Sequence, residues 1–326
     1  MDFFLFIFVY VGFLSFIVYV LLFGQSESNR NGFIGYVHSI LTYEIWAFLK
    51  KMLVKIFGKS ADTFLKKIVV YMCLTWNPFM MLFYVAILIG GFFVFFVWAF
   101  PEIIQIPTIS SWNYVYIFLI IANVITTFLL CVFTDPGSIT KDNVDIYLTH
   151  FPPDNLIFFP KFCETCKIQR PARSKHCRFV NKCVARYDHY CGWVANTMGL
   201  NNYRYFVLFL IANMIMCSYA SYIIFRILYY NVKNSSILDL VFFDKYGNPS
   251  PISFSHILRY IIVEYRALFG LLIMVFMMGI VLFAFVAYHL YLIATNTTTN
   301  ETFRYADLKE EIHMFENFKA SQEQKD

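Results

Sequence analysis

Five stretches of the 326-residue chain are apolar over the roughly 20 residues that a helix needs to cross a hydrocarbon core: residues 3–23, 78–100, 114–133, 205–230 and 268–291. The fourth is interrupted by Asn213, Ser218, Ser221 and Arg226 but keeps the length. Residues 33–57 alternate apolar clusters with Lys50, Lys51 and Lys55 at helical spacing, a pattern that suits a helix lying in the membrane interface and equally an ordinary amphipathic cytosolic helix. Between the third and fourth stretches the pattern stops. Residues 138–204 are polar, carry Pro152, Pro153 and Pro171, and show no helix-length periodicity. The expected fold is therefore an all-α polytopic membrane protein of about five transmembrane helices, with a small Cys-rich domain inserted between spans 3 and 4. Its segments are an anchor and amphipathic region (1–76), a transmembrane hairpin (77–137), the inserted domain (138–204), a second hairpin with its loop (205–293) and a tail (294–326).

Composition sharpens this picture. The chain is 59% hydrophobic and only 14% charged, with a mean hydropathy of +0.59, whereas a soluble domain is about a quarter charged. The first span follows Asp2 instead of a basic segment, is longer than the roughly 7–15 residues of a signal-peptide core and lacks a small-residue cleavage site, so it is expected to stay as an anchor. Basic residues follow the first span (Arg30, Lys50, Lys51, Lys55, Lys59, Lys66, Lys67) and the third (Lys161 through Arg186), while residues 101–113 contain neither Lys nor Arg. The excess of Lys and Arg marks the cytosolic side, which makes the N-terminus and residues 231–266 lumenal and the inserted domain and tail cytosolic. The net charge of +5 reads as this bias and gives no support for a nucleic-acid partner.

The inserted domain holds five of the eight cysteines. So short a segment cannot bury a sizeable core and needs a staple, which in a reducing cytosol is a metal rather than a disulfide. Cys163 and Cys166 have the Cys-x-x-Cys spacing at which a tight turn brings two thiolates to one tetrahedral ion. His176 and Cys183 complete a Cys₃His set. A redox role for the pair is disfavoured because no βαβ pattern surrounds it. Cys177 is left over, with only His189 and Cys191 after it as further donors.

The run "CETCKIQRPARSKHCRFVNKCVARYDHYCGWVANTMGLNNYRYF" resembles the cysteine-rich domain of the DHHC protein S-acyltransferases (palmitoyltransferases). "TDPG" at 134–137 resembles the family's Asp-Pro-Gly motif, which contributes Asp135, and "TTNE" at 298–301 its Thr-Thr-x-Glu motif. The order of the three motifs and their shared membrane side make the likeness specific, and the extra N-terminal anchor resembles the five-span branch with endoplasmic reticulum and Golgi members. The resemblance places the first zinc site on Cys163, Cys166, His176 and Cys183, with every ligand present. It places the second on Cys177, Val180, Tyr190 and Thr197, where three of four ligands are gone. One structural zinc is expected, with Val180, Tyr190 and Met198 filling the vacated space.

The chemistry of such an enzyme needs a thiolate, a base to make it and a group to orient the base. Cys191, His189 and Asp188 supply these: His189 takes the Cys191 proton, Cys191 attacks the acyl-CoA thioester, and the acyl group passes to a cytosolic cysteine of a membrane-associated protein. The resemblance further implies that Thr299 bonds to Asp188, that Arg170 and Arg173 meet the CoA phosphates, and that Trp193 lies at the bilayer surface near the acyl chain. Gly192 stands where the family usually has proline, and Thr197 and Met198 also depart from its pattern, so a looser loop around Cys191 is expected. The alternative is a pseudoenzyme that keeps the fold as a membrane scaffold. A transporter is disfavoured because the spans carry few ionisable residues.

Overall fold

The computed structural model describes residues 16, 17, 19, 20, 24, 29–155, 157–243, 246 and 248–323. Most of the first expected span, residues 3–23, lies outside the described residues. The chain divides into two compact units, residues 1–74 with 240–259, and residues 75–239 with 260–326.

In the first unit, helix α1 (Phe33–Ser39) runs through a π-helical turn at Ile40–Glu44 into α2 (Ile45–Phe57). Gly58 ends α2 at φ +72°, a left-handed conformation that glycine adopts without penalty, and α3 (Lys59–Leu74) follows. Asp62 of α3 ties the two helices together, 2.9 Å from Lys50 Nζ and 2.8 Å from Lys66 Nζ. Helix α2 leaves Trp46, Phe48, Met52, Ile56 and Phe57 exposed.

Further along the chain come α4 (Phe79–Gln105), α5 (Trp112–Phe133), α6 (Val144–His150), α7 (Tyr203–Lys233), α8 (Phe254–Glu264), α9 (Arg266–Ala294) and α10 (Thr299–Glu323). Among the described residues, four helices, α4, α5, α7 and α9, are long and apolar enough to cross a membrane. Only 6% of the most apolar window of α4 is buried by protein, so side chains such as Leu82, Ile89 and Phe93 need lipid around them. This is a multi-pass membrane protein.

Helix α4 continues past residue 100, where the sequence pattern placed its end. Pro101 has no N–H for the helical ladder and crowds the carbonyl four residues earlier. A π-helical turn at Phe95–Ala99 absorbs the misfit. Pro101 then opens the last stretch, Phe100–Gln105, where a missing N–H is tolerated.

Helix α7 packs against both α5 and α9. Asn213, Ser221 and Arg226, which interrupt its apolar run, are paired, since an unsatisfied group in hydrocarbon costs several kcal/mol. Asn213 accepts from the Tyr84 hydroxyl at 2.9 Å and donates to the Phe209 carbonyl at 2.8 Å. Arg226 donates to the Tyr222 hydroxyl at 2.7 Å and to Thr108 Oγ1 at 2.8 Å.

The inserted segment is built from strands of two or three residues. β1 (Ser138–Ile139), β2 (Lys161–Cys163), β3 (Ile168–Arg170), β4 (Lys175–Cys177), β5 (Lys182–Val184), β6 (His189–Cys191) and β7 (Asn196–Met198) form an antiparallel β1-β5-β4 sheet and two hairpins, β2-β3 and β6-β7. The domain joins the membrane helices at the end of α5. Asp135 accepts from the Gly137 and Ser138 amides at 2.8 and 2.7 Å and from the Ser138 hydroxyl at 2.7 Å. With Gly137 at φ +99°, this turn aims the chain into β1, where Ser138 pairs with Val184 and Ile139 with Cys183. Asn196 Nδ2 donates to the carbonyls of Cys131, Val132 and Thr134 at 2.9, 3.2 and 3.1 Å, so the β6-β7 hairpin caps the orphan carbonyls of α5. Gly199 is required for this approach, because a Cβ there would meet Pro136 O and Val184 Cγ1 at 2.5 Å.

The Asn196 cap generates a stability prediction. Asn196→Ala removes donors from partly buried carbonyls and should destabilise the protein by about 1–3 kcal/mol, read as a lower thermal midpoint in detergent. An unchanged midpoint would mean that water replaces the amide.

Candidate active site and metal centre

The two halves of the metal cluster come from two hairpin elements. In β2-β3, the Lys167 amide donates to the Cys163 carbonyl at 2.7 Å and the Cys166 amide to Cys163 Sγ at 3.4 Å, a turn that brings the two thiols to one side. In β4-β5, His176 and Cys183 are direct cross-strand partners. The four ligand atoms lie within 4.8 Å of one another. His176 Nδ1 is 3.6 Å from Cys163 Sγ, 3.3 Å from Cys166 Sγ and 3.8 Å from Cys183 Sγ. With zinc–sulfur bonds of about 2.3 Å and zinc–nitrogen bonds of about 2.0 Å, these separations fit a single tetrahedral ion. Around them Ile139, Ile168 and Ala185 form a minimal buried core.

Three of the four positions expected to have lost a second metal, Cys177, Tyr190 and Thr197, come together as well, with different chemistry. Thr197 Oγ1 donates to Cys177 Sγ at 3.1 Å, both side chains being buried. Tyr190, the cross-strand partner of Thr197, stacks on Phe179 at 4.1 Å with an interplanar angle of 13°, and burial pushes its hydroxyl pKa up to about 12. Phe179, which the sequence pattern did not single out, is the ring on which Tyr190 stacks. Met198 points to the other face of β7, because successive strand residues alternate, and packs fully buried beside Cys191.

The β6-β7 hairpin carries the candidate acid, imidazole and thiol. The ladder extends back one residue, with the Asp188 amide donating to the Met198 carbonyl at 2.9 Å, so Asp188 is buried at 2% exposure. His189 Nδ1 donates to Asp188 Oδ2 at 2.6 Å. Thr299 supplies two further donors, its amide to Oδ1 at 2.7 Å and its hydroxyl to Oδ2 at 3.0 Å. With Nδ1 engaged, Nε2 is the nitrogen of His189 left for Cys191. Cys191 is 6% exposed and packs with Cys131, Val194, Met198 and Phe206. The loop after it is pinned, since Trp76 Nε1 donates to the Ala195 carbonyl at 2.9 Å and Asn196 holds α5. A Cβ at Gly192 would make only ordinary contact with Met80, at 3.5 Å, so nothing in the fold demands glycine there. Trp193 is 42% exposed and stacks on Phe83 of α4 at 6.3 Å.

Arg173 is bonded to the tail. Its Nε and Nη2 donate to the two carboxylate oxygens of Glu301 at 2.6 and 2.7 Å, and Nη2 also reaches the Asn296 carbonyl at 2.7 Å. Glu301 is 2% exposed. It forms a capping box at the start of α10: its carboxylate accepts from the Thr298 amide at 3.0 Å, while Thr298 Oγ1 accepts from the Glu301 amide at 3.2 Å. Arg186 and Lys175 reach Asn296 and Asn300 at 2.8 Å each. The basic face of the inserted domain therefore grips the tail that presents Thr299. The signal for Glu301 was in the sequence, since Thr-x-x-Glu before a helix is a capping box. The arginine that completes it carries no local signature. Arg170 donates to the Ser174 carbonyl at 3.1 Å, and its Nε is buried without a partner among the described residues. Asp135 is a turn residue, with its carboxyl held below the usual range against the opposing effect of burial by the hydrogen bonds of Ser138 and Gly137.

Burial works against a charged His189, but its hydrogen bond to Asp188 and its interaction with Cys191 outweigh burial and raise its pKa to about 9. Asp188 is in turn lowered: burial opposes this, and His189 and Thr299 overcome it. A histidine raised from about 6.5 stabilises the fold fully below that pH and loses its contribution as pH climbs through about 9. Asp188→Asn should therefore lower the thermal midpoint more at about pH 6 than at about pH 9.5. Equal losses at both would separate the pair from the stability of the site.

The sequence profile of the DHHC palmitoyltransferase family matches residues 157–306, a stretch that contains the metal cluster, the β6-β7 hairpin and the capping box. Palmitoyltransferase SWF1 of Yarrowia lipolytica is 38% identical over 186 residues, 56% of this chain and 47% of that protein. Palmitoyltransferase ZDHHC4 of Rattus norvegicus is 34% identical over 179 residues, 54% and 52% of the two chains. This chain thus spans about half the length of several relatives that it matches. Palmitoyltransferase swf1 of Emericella nidulans is 31% identical over 318 residues, 93% of this chain and 72% of its own. A likeness running through nearly the whole chain, around a family domain whose Cys/His cluster and Asp188–Thr299 contact are both assembled, means that the chain belongs to the DHHC palmitoyltransferase family.

Proposed function

We propose that this protein is a protein S-acyltransferase of the five-span branch with an Asp-His-Tyr-Cys reactive sequence. It moves a long-chain acyl group from acyl-CoA, through an acyl-Cys191 intermediate, to cytosolic cysteines of membrane-associated proteins at the endoplasmic reticulum or Golgi. The observation that carries this reading is the orientation of His189: Asp188 holds Nδ1 at 2.6 Å and is itself held by Thr299, which commits Nε2 to Cys191.

The reaction balances with these residues. His189 takes the proton from Cys191 Sγ, and the thiolate forms a bond to the thioester carbonyl carbon. The carbon–sulfur bond to CoA breaks, and CoA leaves with the proton that His189 returns. In the second half the substrate thiol gives its proton to His189 and attacks the acyl-Cys191 carbonyl, and Cys191 leaves and is reprotonated. Asp188 orients the imidazole and favours its protonated form throughout. A general base of this kind is worth about 10²–10⁴ in rate. Arg170 and Arg173 are the basic residues for the CoA phosphates, Arg173 while also holding Glu301, and exposed Trp193 suits the bilayer surface near the acyl chain.

Cys163, Cys166, His176 and Cys183 would hold one zinc, whose contribution is structural: it joins two hairpins that have little apolar core. The Cys177–Thr197 bond and the Tyr190–Phe179 stack stand in for a second ion. A pure scaffold would have no use for a buried carboxylate, its tail-borne threonine and an oriented imidazole beside a thiol.

Purified protein given long-chain acyl-CoA should form a thioester that hydroxylamine cleaves. Cys191→Ser should abolish it, and His189→Ala should slow its formation by about 10²- to 10⁴-fold. Acylation of Cys191→Ser at the normal rate would place the nucleophile elsewhere.

Metal analysis should find one zinc per chain. Cys163→Ala should unfold the inserted domain, while Cys177→Ala, which removes one neutral hydrogen bond, should cost about 0.5–1.5 kcal/mol. Two zincs per chain would overturn the assignment of the second cluster as packed rather than metallated.

A further inference from the structure

His289 lies on α9, a membrane helix, and is 1% exposed. Its ring is edge-on to Phe206 at 5.1 Å and to Phe285 at 4.9 Å. Nδ1 is 2.9 Å from the Tyr203 hydroxyl, and Nε2 is buried with no hydrogen-bond partner among the described residues. A phenylalanine would fill such an aromatic cage without an unpaired polar atom, and a buried unpaired nitrogen is unfavourable. Packing alone therefore does not account for an imidazole here.

What the imidazole adds is the bond to Tyr203, which ties α9 to the first turn of α7. Phe206, three residues beyond Tyr203, is edge-on to both histidines, with ring centroids 5.0 Å from His189 and 5.1 Å from His289. The two imidazole centroids are 6.3 Å apart. The catalytic imidazole thus rests on a ring whose helix is braced by the second imidazole. A histidine base must hold its ring plane while a proton moves between Nε2 and sulfur. Asp188 fixes one edge of that ring through Nδ1, and Phe206 packs against it in a T-shaped contact.

We propose that His289 is a positioning residue for acyl transfer: bonded to Tyr203 through Nδ1, it holds Phe206 against His189 and so fixes the plane of the catalytic imidazole. The inference rests on the reading of Cys191 as nucleophile and His189 as its base. It assigns a role in turnover to a residue that does not touch the reacting atoms.

The test measures single-turnover formation of the Cys191 thioester over a range of acyl-CoA concentrations, with thermal unfolding of every variant, in detergent-purified full chain. His289→Phe keeps the aromatic volume and removes both nitrogens. It should lower the saturating rate by about 10- to 100-fold, the scale of a small misplacement of a catalytic group, with an unchanged half-saturating concentration. Tyr203→Phe, the gentler change, should do the same. His289→Asn keeps a polar group near the Nδ1 position and should recover much of the rate. A His289→Phe protein that acylates within twofold of wild type overturns the proposal. So does a rate loss that follows the drop in thermal midpoint across the variants, with Asn no better than Phe. If wild-type protein forms no thioester, the acyltransferase reading fails. A wild type that acylates beside an unaffected His289→Phe rejects this inference alone.

Discussion

A carboxylate buried to 2% exposure is stable only if its oxygens are met by donors, and Asp188 meets that demand with groups from two distant parts of the chain. One donor is the neighbouring His189. The others are the amide and hydroxyl of Thr299, which lie 111 residues away on the far side of two membrane helices. The reactive hairpin and the tail must therefore come together before the imidazole is oriented. The Arg173–Glu301 pair, the Thr298–Glu301 capping box and the contacts of Lys175 and Arg186 to the tail all serve that approach. Arg173, a cation of the inserted domain, thus helps to hold the tail in place.

The inserted domain illustrates how little core such a segment needs when its staples are placed well. One Cys/His cluster joins β2-β3 to β4-β5, and where the described residues form no second cluster a hydroxyl–thiol bond and an aromatic stack hold Cys177, Thr197 and Tyr190. These contacts are not equivalent to an ion, because a metal cross-links four positions with strong bonds while Thr197–Cys177 and Tyr190–Phe179 each join two. The β6-β7 hairpin gains its remaining rigidity from outside: Asn196 caps α5, Trp76 holds the Ala195 carbonyl and Gly199 lets the chain pass against Pro136. Much of the order around Cys191 is therefore supplied by the membrane helices.

That dependence runs in both directions. Cys191, Met198 and Val194 share one buried cluster with Cys131, Phe206, Phe209 and Val286 from α5, α7 and α9. The floor beneath Cys191 is thus membrane-helix surface. The edge-on contacts of Phe206 with His189 and His289 belong to the same floor.

Much of the architecture was legible in the sequence because its signals are local. Apolar runs of helical length marked four spans that the fold contains, Cys-x-x-Cys with His176 and Cys183 marked the cluster, and the spacing of Asp188, His189 and Cys191 placed three functional groups on one short hairpin. Helix ends were less legible, as in α4, where a π-helical turn carries the helix through a proline that local rules read as a stop. Among partners distant in the chain, only the Thr299–Asp188 contact was anticipated, and that through the family resemblance and not through any local pattern. The pairing of Arg173 with Glu301, the capping of α5 by Asn196, the stacking of Phe179 on Tyr190 and the meeting of Tyr203 with His289 join residues between 11 and 128 positions apart. No period or spacing encodes such pairs, because each depends on how helices and hairpins pack. The sequence by itself determined which groups were available for chemistry and on which elements they lie; tertiary structure decided which of those groups face each other, because burial forces every charge and polar atom to find its partner in space.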